Sequence, residues 1–93
     1  MKIKVTKRDV SGGDQDNTAS CPVALACRRA GLHSPSVSNS RIYFGKDNER
    51  VYLEFPLKVV KFIEDYDSGK KVKPLEFNLS MKKAVLIETI KYI

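Results

Sequence analysis

Thr18-Ala19-Ser20-Cys21-Pro22-Val23-Ala24-Leu25-Ala26-Cys27-Arg28-Arg29-Ala30-Gly31-Leu32 contains one short helix with both ends marked. Ser20 or Cys21 takes the cap position, and Pro22 suits the first helical position, where an N–H would lack a partner anyway. Gly31 supplies a left-handed residue to close the last turn, and Arg28 and Arg29 set positive charge beside the negative end of the helix dipole. Val23, Ala26, Cys27 and Ala30 recur at i, i+3, i+4 and i+7, and all are small. So flat a face can lie close against a sheet or another helix, which makes this helix the packing centre of a small domain.

Working outward, Lys2 to Thr6 alternates charged and apolar residues, with Ile3 and Val5 on one side, and reads as a half-buried strand. Asp9 to Asn17 reads as a polar, glycine-containing loop that delivers the chain to the helix. Beyond Gly31, His33-Ser34-Pro35-Ser36 reads as a turn and Ser36 to Phe44 as one strand with Ile42 and Phe44 inward. Gly45-Lys46-Asp47-Asn48 forms a hairpin connection, and Arg50 to Phe55 returns with Val51, Leu53 and Phe55 inward and Tyr52 and Glu54 outward. Pro56 opens a second helix, Leu57 to Ser68, whose Val59, Phe62, Ile63 and Tyr66 share one face, and Gly69 ends it. Leu75, Phe77 and Leu79 alternate with Glu76 and Asn78 in a fourth strand. The tail, residues 80–93, is expected to be helical from its possible cap at Ser80, although the β-branched run from Val85 to Ile93 also suits a strand.

The element order is therefore β-α-β-β-α-β with a C-terminal helical or strand extension. That order predicts an α+β fold, ferredoxin-like or a similar two-layer sandwich, over residues 1–79. Residues 80–93 are expected to pack on the same domain or at a dimer contact. Ninety-three residues suffice for a single core and not for two lobes. No apolar run approaches the roughly 20 residues that span a bilayer, and Met1 to Arg8 lacks the apolar core of a signal peptide, so no membrane and a cytoplasmic location are expected. The net charge of +6 favours acidic partners, but the cationic residues are spread along the chain in short pairs.

Several residue types invite a chemical reading. A thiol at a helix N-terminus feels the positive end of the dipole, so Cys21 is a possible reactive thiol, a nucleophile or redox sensor. The single histidine, His33, lies beyond the far end of the same helix, which argues against a catalytic pair. Cys27 falls on the small apolar face and reads as core. Cys21 and Cys27, about 9 Å apart along the helix and on different sides of it, cannot pair with each other. With His33 they supply too few ligands for zinc, so no metal is expected. Asp14-x-Asp16 lacks the downstream glutamate of a calcium loop, and Gly12-Gly13 lacks the lysine of a phosphate loop. No cofactor is expected and no catalytic set is assembled, which points to a protein that is not an enzyme.

The remaining candidate is a surface. Arg41, Tyr43, Arg50 and Tyr52 project from the hairpin on the side opposite Ile42, Phe44, Val51 and Leu53. Aromatic residues interleaved with arginines on an open sheet face suit stacking and phosphate contact in a nucleic-acid binder, and serve a protein interface equally well.

Cys21-Pro22-Val23-Ala24-Leu25-Ala26-x-Arg28-Arg29-Ala30-Gly31, followed by Val37-Ser38, Ile42, Phe62-Ile63-x-x-Tyr66-Asp67-x-Gly69 and Pro74-Leu75-x-Phe77-x-Leu79, resembles small proteins encoded by bacteriophages and prophages. The resemblance covers residues 1 to about 79. Cys27 stands where those proteins would carry a larger aliphatic residue. No functional residue carries over. What the resemblance implies is an accessory protein of a mobile element, acting in the host cytoplasm by binding a host protein and modulating or inhibiting it, with a nucleic-acid-handling defence complex as one such target. The expected partner is thus a host protein through Arg41, Tyr43, Arg50 and Tyr52. Nucleic acid on the same face is the alternative, a thiol-dependent enzyme or sensor at Cys21 a second, and the chain is a monomer or homodimer.

Overall fold

The computed structural model describes residues 1–89. Ile3 and Val5 are buried and Lys2 and Lys4 exposed on β1 (Lys2–Val5), as their alternation requires. The chain then enters a helix, α1 (Lys7–Gly12), where a loop was expected from Asp9 onward. The cause is a reciprocal cap. The Asp9 N–H donates to Thr6 Oγ1 at 3.2 Å, and Asp9 Oδ2 accepts the Thr6 N–H at 2.9 Å.

The central helix, α2 (Pro22–Arg29), has Cys21 at its cap, Pro22 at its first position and Arg28 and Arg29 in its last turn. Gly31 closes it at φ 104°, its N–H donating to Arg28 O while the Leu32 N–H donates to Cys27 O, so the orphan carbonyls are satisfied. Val23, Ala26 and Cys27 are buried as expected, and Ala24 joins them. Ala30 is exposed, because the helix ends before its face turns back to the core.

Two strands, β2 (His33–Val37) and β3 (Arg41–Lys46), stand where one from Ser36 to Phe44 was expected. Ser38 makes the break: its Oγ accepts the Arg41 N–H at 3.1 Å and its N–H donates to Arg41 O at 2.9 Å, a local bond that competes with extended backbone. β3 pairs with β4 (Glu49–Glu54) across Asp47 and Asn48, whose φ values of 51° and 63° fit a tight mirror-image turn that matches strand twist. Gly45 and Lys46 therefore belong to the strand and not to the turn.

α3 (Leu57–Asp67) buries Val59, Phe62 and Ile63, and β5 (Leu75–Asn78) pairs with β1, setting Glu76 between Lys2 and Lys4. The tail corrects the expected helix. A single 3-10 turn, Met81–Lys83, leads into β6 (Val85–Thr89), which pairs antiparallel with β4. Val85, Ile87 and Thr89 are β-branched and favour extended backbone once a free strand edge is offered. The part of that expectation that concerns residues 90–93 lies outside the described residues.

The result is a mixed α+β fold whose strands divide between two antiparallel sheets, β1-β5 and β2-β3-β4-β6. Phe55, which follows β4, meets Phe77 of β5 edge to face with centroids 5.8 Å apart, so one aromatic contact ties the sheets together. α2 packs against both β1 and β2. α1 and the loop after it are pinned to the end of α3: the single proton of the Tyr66 hydroxyl is shared between Gly13 O at 2.8 Å and Val10 O at 3.1 Å, and Gln15 Nε2 donates to Tyr66 O. Gly13 is required there, because a Cβ on it would lie 2.7 Å from Pro22 Cδ and 2.8 Å from Asp9 O.

Candidate functional site

Alternation along β3 and β4 sends Ile42, Phe44, Val51 and Leu53 into the core and leaves Arg41, Tyr43, Arg50 and Tyr52 half-buried on the outer side. Register then brings these four together. Tyr43 stands directly opposite Tyr52, with ring centroids 5.9 Å apart and planes tilted by 49°. The Arg41 guanidinium lies 4.3 Å over the Tyr52 ring, and its Nε donates to Glu54 Oε1 at 2.9 Å. Tyr43 first and then Glu54, by hydrogen bonding, raise the Arg41 pKa above its ordinary value. Arg50 donates from Nη1 to Ser34 O at 2.9 Å, which fixes it across three strands.

β6 adds what the sequence reading left out. Val85 stands opposite Tyr52, and Glu88 opposite Arg50. Arg41 is thus paired with Glu54, and Glu88 stands across from Arg50 in register, so the surroundings of the aromatic patch carry both signs of charge. The alternating β-branched residues of the tail were the signal for this neighbour, and the helical reading concealed it.

Cys21 is a buried, unpaired thiol. It is 7 % exposed at the cap of α2. Burial raises its pKa and outweighs the Ala24 and Val23 N–H groups, which act in the lowering direction expected of a helix N-terminus. Cys27 is buried and pushed up to about 12 by the same cause. Both cysteines are free, and His33 lies exposed on β2, opposite Gly45. A cleft of about 250 Å³ beside Cys21 is lined by Asp16, Asn17, Ser38 and Asp67. Asp67 there accepts the Asp16 N–H at 3.0 Å, and Asp14 accepts the Ser20 hydroxyl at 2.8 Å, so these carboxylates hold the loop. Among the described residues, no group of histidine, cysteine, aspartate and glutamate is placed to hold a metal ion, and no helix is long and apolar enough to cross a membrane.

Fold and surface together define a class: a small α+β protein that presents an ordered tyrosine and arginine patch on the open side of an antiparallel sheet. Comparison with protein-family models, with curated proteins and with solved structures gives no match.

Proposed function

We propose that this is a non-enzymatic binding protein which docks on another protein through the face of Arg41, Tyr43, Arg50 and Tyr52. The observation that carries this reading is the preset order of the patch. Arg41 is already stacked on Tyr52 and bonded to Glu54, so its side chain has little freedom left to lose on binding. Tyrosine and arginine are also the residue types in which interface energy concentrates. In keeping with the phage resemblance, the partner would be a host protein in the cytoplasm, modulated or inhibited by the contact.

Nucleic acid is the weaker reading of the same face. Phosphate contact needs free cations, whereas Arg41 is engaged by Glu54 and Arg50 by the Ser34 carbonyl. The thiol reading is weaker still, because a raised pKa withholds the thiolate that catalysis would use.

The test is affinity capture from bacterial lysate with and without nuclease, using the wild-type protein and the Tyr43→Ala and Tyr52→Ala variants. A stoichiometric protein should survive nuclease, and each variant should weaken its binding by at least about 2 kcal/mol, roughly thirtyfold. Loss of every partner on nuclease treatment would transfer the face to nucleic acid. An unchanged affinity in both variants would remove the face from the interface.

A further inference from the structure

The four-stranded sheet ends differently on its two sides. β2 is a blunted edge: Pro35 lies in it, Ser34 beside it takes a positive φ of 46°, and its register shifts between His33 and Ser36. β6, at the opposite end of the strand order, contains neither proline nor lysine between Val85 and Thr89. Val85, Leu86 and Ile87 are 44 %, 53 % and 46 % exposed, which sets an apolar strip along an open edge. Among the described residues no strand covers it.

The charges around that strip say what fits it. Lys82 and Lys83 lie exposed just before β6, and Glu88 lies near its end, with Glu49 of β4 beside Thr89. Among the described residues, Lys82, Lys83, Glu49 and Glu88 take part in no ion pair. The edge is therefore basic at its start, apolar in its middle and acidic at its end. A strand with that polarity is complementary to itself when reversed.

We propose that β6 pairs antiparallel with β6 of a second copy about a two-fold axis at Leu86. In that register Leu86 faces its own counterpart, and Val85 faces Ile87 of the other copy, so the apolar strip is covered by an identical one. Glu88 of each copy then faces Ala84 of the other, with Lys82 and Lys83 of the adjoining turn within reach of its carboxylate. The two sheets merge into one, and because the two-fold axis of an antiparallel pair stands perpendicular to the sheet, both tyrosine patches open on the same side. The dimer is a bivalent surface, which raises avidity for any partner that offers two sites within its span.

Sedimentation equilibrium of the full chain at about 100 µM should give a mass near twice 10.5 kDa. Leu86→Lys sets two like charges against each other at the axis and should weaken association by more than about tenfold, with an unchanged far-ultraviolet spectrum. Glu88→Lys alone, and Lys82→Glu with Lys83→Glu, should each weaken the dimer, whereas all three substitutions in one chain should restore it. Leu86→Cys should cross-link to itself under mild oxidation, since facing residues of an antiparallel pair lie within disulfide reach. A wild-type protein that stays monomeric overturns the proposal, as does a dimer that survives Leu86→Lys or a charge exchange that fails to rescue. Tyr43→Ala leaves this dimer intact, so the two surfaces are tested separately.

Discussion

Replacing Arg29 with alanine strands a carboxylate inside the protein. Asp9 has a side chain only 5 % exposed, whereas that of Arg29 is 51 % exposed. Arg29 Nη1 donates to Asp9 Oδ1 and Nη2 to Asp9 Oδ2, both at 2.7 Å, and Nη2 also donates to Lys4 O at 2.7 Å. One guanidinium thus ties β1, α1 and α2 together. Two charge-assisted bonds at about 1.5–3 kcal/mol each come to roughly 3–6 kcal/mol. Arg29 is half in water, where such a pair is screened and the freed side chain regains hydration, so about half survives as net stability. The expected cost at pH 7 is about 1.5–3 kcal/mol, which in a domain of this size lowers Tm by roughly 6–24 °C.

The pH dependence separates this account from simple loss of packing. The hydrogen bond to Arg29 is the main cause that holds the Asp9 pKa below its ordinary value, opposed by burial and helped by Thr6. A depressed carboxylate contributes stability that is full above its unfolded pKa and is lost as pH falls through the folded one. With Arg29 gone, burial is opposed by Thr6 alone and the folded pKa rises. The difference between variant and wild type should therefore be large at pH 7 and shrink towards about pH 3, where Asp9 accepts a proton in the variant without penalty. Urea unfolding followed by circular dichroism at both pH values measures it. A cost that is equal at the two, or below about 1 kcal/mol at pH 7, refutes the reasoning.

Three further outcomes follow from particular contacts. Gly13→Ala forces a Cβ against Pro22 Cδ and the Asp9 carbonyl, and should cost about 1–3 kcal/mol in urea unfolding, more than Gly12→Ala, where nothing lies within 4 Å. Cys21, with its raised pKa and buried sulfur, should react with iodoacetamide near neutral pH far more slowly than a free thiol and catch up only in denaturant; rapid selective labelling of the native protein would restore the reactive-thiol reading. Asn48→Val places a β-branched residue at a φ of 63° in the β3–β4 turn and should destabilise by about 1–2 kcal/mol, measured as a shift in Tm, whereas Asn48→Gly should not.

Much of the patch was legible in the sequence because a strand alternates its sides whatever lies around it. Val51 and Leu53 inward dictate Arg50 and Tyr52 outward, whereas the register that sets Tyr43 opposite Tyr52 comes from a two-residue Asp47-Asn48 turn, shorter than the expected Gly45 to Asn48 connection. The place of Glu88 beside that patch was not legible, since it arrives from a segment with both helical and extended propensity, and its choice depends on the open edge of β4. The state of Cys21 was hidden for a related reason. Its position at a helix cap is local and favours thiolate, but burial is supplied by residues far along the chain and outweighs the cap.

The sequence by itself determined α2, whose cap, first-turn proline, small apolar face and closing glycine all lie within a few residues of one another. It likewise determined α3, the β3–β4 hairpin and the α+β class, each written in short-range periodicity. Tertiary structure decided that Asp9, which caps α1 together with its near neighbour Thr6, is buried against Arg29, that β1 leaves the main sheet to pair with β5, and that the tail extends beside β4. Propensity acts between near neighbours, whereas those three outcomes rest on a charge or a strand edge that the fold brings in from elsewhere in the chain.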